Sequence, residues 1–134
     1  MAIYLSAGHH KKDPGAIGNG KKEADLTIIQ RDLICSELDK LGVKYVRDTD
    51  SETLSQYLKR INPTSSDVVV EYHFNAFNSK ATGAETLVSD NASKMSFGLA
   101  TELNDAIVNT LKIANRGVKT ESQSHRGKLG LMRE

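Results

Sequence analysis

Apolar positions recur with two different periods along this chain, and the two periods predict both strands and helices. Short apolar or alternating runs predict strands over residues 3–6, 43–46, 67–73, 83–88, 117–118 and 129–132. Apolar residues at helical spacing predict long helices over 23–41 and 93–113. A shorter helix is predicted after Thr49 and Glu52, which have the spacing of a capping box. Strands that alternate with helices indicate an α/β fold.

The same periodicity predicts which face of each helix is buried. In the first long helix the predicted face consists of Leu26, Ile29, Leu33, Leu38 and Leu41. In the second it consists of Leu99, Leu103, Ile107 and Leu111, and in the short helix of Leu54, Tyr57, Leu58 and Ile61. With helices on its faces the sheet should be mostly parallel and twisted, and 134 residues suit a single domain over 1–134.

Composition narrows the classes of function. The net charge of +1 and pI of about 7.9 do not favour binding to nucleic acid. No apolar run is long enough for insertion into a membrane, and no secretory signal peptide is visible after Met1. The lone Cys35 excludes an internal disulfide and is expected to be a small buried apolar side chain.

Three residues carry the strongest indication of chemistry. His9 follows the first predicted strand, Glu23 opens the first helix, and His73 ends the strand over 67–73. Ligands gather at the carboxyl ends of strands in an open α/β sheet, so these side chains are expected to converge. Two imidazoles and a carboxylate can hold Zn²⁺ and leave a position open for water. Taken singly, each residue also fits an ordinary loop histidine or a helix N-terminal carboxylate.

The order of these motifs resembles a known family. Ala7-Gly8-His9, Asp13-Pro14-Gly15-Ala16 and Glu23-Ala24-Asp25-Leu26 resemble the N-terminal signature of zinc-dependent N-acetylmuramoyl-L-alanine amidases of the amidase-3 type. His73-Phe74-Asn75-Ala76 resembles that family's second histidine motif, and Asn115-Arg116-Gly117-Val118 a third. The resemblance spans most of the chain.

The resemblance implies a peptidoglycan hydrolase that cleaves the amide between N-acetylmuramic acid and the L-alanine of the stem peptide. It implies His9, Glu23 and His73 as the zinc ligands. Asn75 could orient His73 or line the site, and a turn-forming role for it is equally open. Arg116 could contact substrate, although a structural ion pair is the commoner fate of such an arginine. Asp13-Pro14-Gly15 is interpreted as a turn between two ligands.

The chain departs from the family pattern at three places. His10 replaces a glycine and could contact substrate, or could be an exposed loop histidine. Glu71 replaces a small polar residue and shares a strand face with His73. It could be an ordinary ion-paired glutamate, a carboxylate that supports a metal ligand, or an accessory catalytic carboxylate near the metal. The family's catalytic glutamate follows a motif resembling residues 129–133 and would lie about ten residues beyond Glu134. We therefore expect the last strand and helix of the family to be missing, which would expose a sheet edge for self-association.

Several functions stay open on the sequence alone. The first is an active wall amidase, either of the phage endolysin type released from the host cytoplasm or an excised module of a wall hydrolase such as an autolysin. The second is a zinc- and muropeptide-binding module with impaired catalysis, and the third is a zinc peptidase of similar architecture. A fourth interpretation has both histidines as loop residues without a metal.

Overall fold

The computed structural model describes residues 1–75, 82–124, 126 and 129–132, and the chain divides into two compact units. The first unit contains β1 (Ile3–Ala7), β2 (Ile17–Gly18), β3 (Lys21–Lys22), α1 (Glu23–Lys40), β4 (Val46–Arg47), α2 (Leu54–Ile61) and β5 (Val68–Tyr72). The second contains β6 (Ala84–Val88), α3 (Lys94–Leu111), β7 (Asn115–Thr120) and two 3-10 turns, Glu121–Gln123 and Gly130–Met132. The organisation of 1–134 as one domain stays a prediction.

The first unit is built on a three-stranded parallel sheet in the order β4-β1-β5. β1 pairs with β5 along its whole length, from Ile3 opposite Val68 to Ala7 opposite Tyr72. Both strands therefore end at the same edge of the sheet. Below the sheet the fully buried Tyr57 donates its hydroxyl to carbonyl oxygens of both β1 and β4, at 3.2 and 3.0 Å. The strand predicted over 43–46 is shorter than expected and begins only at Val46.

Helix α1 has the predicted limits but buries a different face. Leu41 caps its carboxyl end, and Gly42 follows with a φ of 67°, as expected of a residue that stops a helix. The expected apolar face is wrong, because Ile29 and Leu33 are 56% and 64% exposed. The buried stripe has the period of four residues and is largely polar: Glu23, Ala24, Thr27, Arg31 and Cys35. Its polar members hold the site described below, which is why hydropathy did not find it.

Helix α2 begins later than the sequence predicts. Thr53, not Thr49, is its N-cap, and it forms a capping box with Gln56. The Thr49–Glu52 pair instead closes a separate turn, in which the Thr49 N–H donates to the Glu52 carboxylate at 2.7 Å. The predicted capping box is therefore wrong, because the same spacing also suits a turn that precedes a helix.

We expect Thr53→Ala to lower the free energy of unfolding by about 1 kcal/mol, because the N–H of Gln56 then loses its acceptor. Thr49→Ala is the matched control. The Thr49 hydroxyl contacts the Ser51 hydroxyl, at 3.4 Å, and the Glu52 carboxylate, and both partners precede α2, so this change should stay within about 0.5 kcal/mol of the parent. Urea unfolding of the parent and the two variants measures both changes. A larger loss of stability for Thr49→Ala than for Thr53→Ala would contradict Thr53 as the N-cap of α2.

The second unit is a parallel β6–β7 pair against which α3 packs. Ser93 caps α3 by accepting from the Ser96 N–H at 3.1 Å. The residues that α3 buries are Ala100 and Asn104, and the predicted face is wrong because its four members are 37–62% exposed: Leu99, Leu103, Ile107 and Leu111. Asn104 links the helix to β7 by donating to the Asn115 side chain at 2.8 Å.

The fold class is confirmed: three helices accompany strands that are parallel in every described pair except the short β2–β3 hairpin. The strand predicted over 129–132 is wrong, because the Met132 N–H bonds back to the Leu129 carbonyl in a 3-10 turn. Ala76, Arg133 and Glu134, which the sequence motifs include, lie outside the described residues. None of the described helices has both the length and the apolar character needed to cross a bilayer.

Candidate metal centre

Two adjacent strand ends and one helix start bring three side chains together. His9 lies two residues after β1 and His73 directly after β5, and these strands end opposite each other. Glu23 is the first residue of α1 and is 6% exposed. One ligand atom from each of the three side chains lies within 4.8 Å of the others. The predicted convergence of the three residues is therefore present in the structure.

The Glu23 carboxylate lies between the two imidazoles. Its Oε2 is 3.1 Å from His9 Nε2, and its Oε1 is 3.1 Å from His73 Nδ1. The two rings meet edge to face, with centroids 5.0 Å apart and planes at 86°. The inner nitrogen of each ring thus faces the same small volume as the carboxylate. Two imidazole nitrogens and a carboxylate oxygen in this arrangement could hold a metal ion.

Backbone N–H groups hold the Glu23 carboxylate in place. Phe74 donates to Oε1 at 2.9 Å and Ala16 to Oε2 at 3.0 Å. Burial works to raise the pKa of the Glu23 carboxyl, but these N–H groups, together with His9, hold it below its ordinary value. Glu23 is therefore ionised at neutral pH, as a metal ligand must be.

A second carboxylate lies against the outer nitrogen of each imidazole. Asp13 Oδ2 is 2.9 Å from His9 Nδ1, and Glu71 Oε1 is 2.8 Å from His73 Nε2. Burial alone would lower the pKa of His73, but Glu71 and Glu23 raise it above its ordinary value. The hydrogen bond from His9 lowers the pKa of Asp13. The turn predicted at Asp13 is also present, since its Oδ1 accepts the N–H of Gly15 at 3.1 Å.

Two glycines allow the backbone to pass close to the histidines. A Cβ on Gly8 would lie 2.5 Å from His73 Cε1, and one on Gly15 would lie 2.6 Å from both Cδ2 and Nε2 of His9. Gly15 also has a φ of 64°, a backbone conformation that residues other than glycine rarely adopt. His9 itself has a φ of 69°, a strained conformation of the kind that is found at functional sites.

A buried polar network holds the end of β1 beneath the site. The Asp48 carboxylate accepts the N–H of Ala7 at 3.2 Å and a hydrogen bond from the Arg31 guanidinium at 2.8 Å. Thr27, which is fully buried, donates to the Gly8 carbonyl at 2.7 Å. No motif in the sequence predicts a role for Arg31, Asp48 or Thr27. Their one signal is that Thr27 and Arg31 continue from Glu23 at steps of four along α1.

A cavity of about 250 Å³ opens beside the two histidines. Most of the residues that line it have polar or charged side chains, and they are Ser6, Ala7, His9, His10, Asp13, Asp48, Glu52, Leu54, Glu71 and His73. His10 thus lies on the cavity wall, next to one of the three clustered side chains but outside their cluster. Contact between His10 and substrate stays a prediction.

The remaining candidates are Asn75 and Arg116, and neither is one of the three clustered side chains. Asn75 is exposed two residues after His73, and its proposed role in orienting His73 or lining the site stays a prediction. Arg116 belongs to the second unit, where its Nε lies 3.5 Å from the Glu85 carboxylate. Lys119 contacts the same carboxylate at 2.9 Å. Arg116 therefore takes part in a structural ion pair, and substrate contact by it stays a prediction.

Several known proteins are similar to this chain in sequence, and others are similar in structure. LytC, an N-acetylmuramoyl-L-alanine amidase of Bacillus subtilis, is 31% identical over 88% of this chain and 25% of its own length. The endolysin of Bacillus phage SPP1 is 34% identical over 91% of this chain and 48% of its own length. The chain thus spans half or less of the length of these two relatives.

A solved structure of an N-acetylmuramoyl-L-alanine amidase from Clostridium difficile 630 matches with a TM-score of 0.79 and 26% identity. The match covers 89% of this chain and 68% of that one. The family model described as N-acetylmuramoyl-L-alanine amidase matches residues 3–134, which is nearly the whole chain. The chain therefore belongs to the amidase-3 family of N-acetylmuramoyl-L-alanine amidases.

Proposed function

We propose that this chain is a zinc-dependent peptidoglycan amidase, which cleaves the amide between N-acetylmuramic acid and the L-alanine of the stem peptide. The observation that carries the proposal is the cluster of His9, Glu23 and His73 in a chain of the amidase family. Bacterial peptidoglycan is accordingly its proposed partner, and the cell wall its place of action.

The donor set fits zinc. Zinc favours imidazole nitrogen and carboxylate oxygen in a tetrahedral site, and three protein ligands leave a fourth position for water or substrate. The absence of a Cβ at Gly8 and Gly15 fits as well, because the space beside each imidazole would otherwise be filled. His9 Nε2, His73 Nδ1 and the Glu23 carboxylate would hold the ion.

Bound zinc would polarise the amide carbonyl and lower the pKa of a water molecule toward neutrality. The protein's own part is to keep three ligands in place before substrate arrives. Backbone donors fix Glu23, and the buried Thr27 fixes the carbonyl of Gly8 next to His9. Apart from the three proposed ligands, the side chains on the cavity wall that can accept a proton are carboxylates and His10. An accessory catalytic role for Glu71 stays a prediction from the sequence.

Digestion of purified peptidoglycan tests the proposed function. The zinc-loaded chain should release intact stem peptides with a free L-alanine amino terminus, which mass spectrometry of the soluble products identifies. Fragments cut within the stem would instead indicate a peptidase. Binding of wall fragments without release of any peptide would indicate a binding module, and either result would overturn the proposal.

Gly15→Ala should prevent stoichiometric zinc binding, because the new methyl group would press into the His9 ring and toward the Glu23 carboxylate. Gly20→Ala is the matched control. Gly20 has a similar φ of 72° but no atom within 4 Å of its Cβ position, so both changes carry a backbone cost of about 1–2 kcal/mol. Elemental mass spectrometry should find zinc in Gly20→Ala only. An equal zinc content in the two variants would contradict the expected clash between a Cβ at position 15 and the His9 ring.

A further inference from the structure

Each imidazole of the cluster is held between two carboxylates, and the two contacts are unequal. The outer contacts, to Asp13 and Glu71, are 2.9 and 2.8 Å, whereas both inner contacts to Glu23 are 3.1 Å. A neutral imidazole carries one N–H, and an ionised carboxylate can only accept. The shorter outer contacts therefore favour the outer nitrogen as the one that carries the proton.

We propose that Glu71 is a positioning residue for His73: it accepts a hydrogen bond from the Nε2–H and so turns the Nδ1 lone pair toward the metal. Asp13 does the same for His9 with the ring nitrogens exchanged. The inference rests on the proposed zinc site. It gives a role to Glu71, whose side chain shares a strand face with His73.

The location of Glu71 favours an action through His73. Nδ1 and Nε2 lie on different sides of the imidazole, so a carboxylate bound to Nε2 is kept away from a metal held by Nδ1. Glu71 is also held firmly, since its backbone pairs with Ser6 in the β1–β5 ladder and its side chain is only 13% exposed. A carboxylate on a paired strand orients a ligand more strictly than one on a loop.

Zinc affinity provides the main test, measured by competition with a chromophoric chelator. Glu71→Ala should weaken zinc binding by about 10–100-fold, the usual loss when the hydrogen-bond partner of a histidine ligand is removed. Glu71→Gln should recover part of this loss, because its amide oxygen can still accept from Nε2–H. Glu52→Gln is the control, since Glu52 lines the same cavity but its carboxylate pairs with Arg60 at 2.6 Å.

Zinc binding by Glu71→Ala as tight as by the parent would overturn the inference. So would an equal loss in Glu52→Gln, which would indicate a general effect of negative charge in the cavity. A second readout is the ¹⁵N spectrum of the histidine rings in the metal-free chain, recorded at a pH where they are neutral. His73 should be protonated at Nε2 in the parent and lose this preference in Glu71→Ala; protonation at Nδ1 in the parent would overturn the inference.

Both readouts are independent of peptidoglycan cleavage. A parent that binds zinc with the expected ring protonation but releases no stem peptide would disprove the proposed function and leave the role of Glu71 intact. A parent that cleaves the wall, with a Glu71→Ala variant of unchanged zinc affinity, would disprove only the role of Glu71.

Discussion

His73→Ala should bind zinc at least about 100-fold more weakly than the parent, because loss of a direct ligand exceeds the loss of its hydrogen-bond partner. Release of stem peptides from peptidoglycan should fall with it. The imidazole is one of only three clustered donors among the described residues, and its ring meets His9 at 5.0 Å. Isothermal titration with zinc gives the affinity, and mass spectrometry of digested wall gives the activity.

Two further variants make this result specific. Glu23→Gln keeps the size of the side chain and removes its charge, so it should also lose zinc. The amide oxygen can still accept from one of the two backbone donors, Ala16 or Phe74, which now bond to separate carboxylate oxygens. His10→Ala is the control, because His10 lines the cavity next to His9 but lies outside the cluster. Its zinc content should equal the parent's. Zinc retained by His73→Ala, or lost from His10→Ala, would show that the wrong histidine has been assigned.

Arg31→Met should lower the free energy of unfolding by about 3–5 kcal/mol, the usual loss when one partner of a buried ion pair is removed. The Arg31 side chain is fully buried and bonds to three carboxylates, at 2.8, 2.8 and 2.9 Å: Asp48, Asp50 and Asp32. Asp48 is itself 6% exposed, so the variant would leave a buried carboxylate without its cation. Chemical unfolding followed by circular dichroism measures the loss.

Arg47→Met is the matched control for this loss. Arg47 contacts Asp32 at 2.9 Å, but both side chains are about half exposed, so its removal should change stability by no more than about 1 kcal/mol. The deficit of Arg31→Met should also narrow as the pH falls. Burial already raises the pKa of Asp48, and without Arg31 that pKa should rise further, so protonation then removes the uncompensated charge. A deficit that is equal for both arginines would contradict the buried network.

The sequence was sufficient to predict the three clustered side chains and most elements, because these depend on local pattern. Helix α1 ends as predicted, since Gly42 adopts the left-handed conformation that stops a helix. His9 and His73 were found because each follows a strand end, and parallel strands bring their ends to one edge. The capping box at Thr49 failed because a turn before α2 uses the same spacing as a helix cap.

What the sequence did not reveal depends on contacts between distant segments. Arg31 is an ordinary helical residue until the loop after β4 brings Asp48 and Asp50 against it. Hydropathy predicted that Ile29 and Leu33 are buried, but both are exposed. It fails here because a hydropathy pattern cannot identify a charged residue such as Arg31 as buried. The pairing of Asp13 with His9 requires the conformation of the whole loop, including the positive φ of His9.

The three clustered donors come from positions 9, 23 and 73, so an unfolded chain does not hold them together. An ion that needs all three therefore binds the native state and acts as a folding ligand. At a free concentration 100 times its dissociation constant, it would add about 2.7 kcal/mol to stability. Chelation would withdraw that increment, and the melting temperature of this protein would then report on the zinc supply of its surroundings.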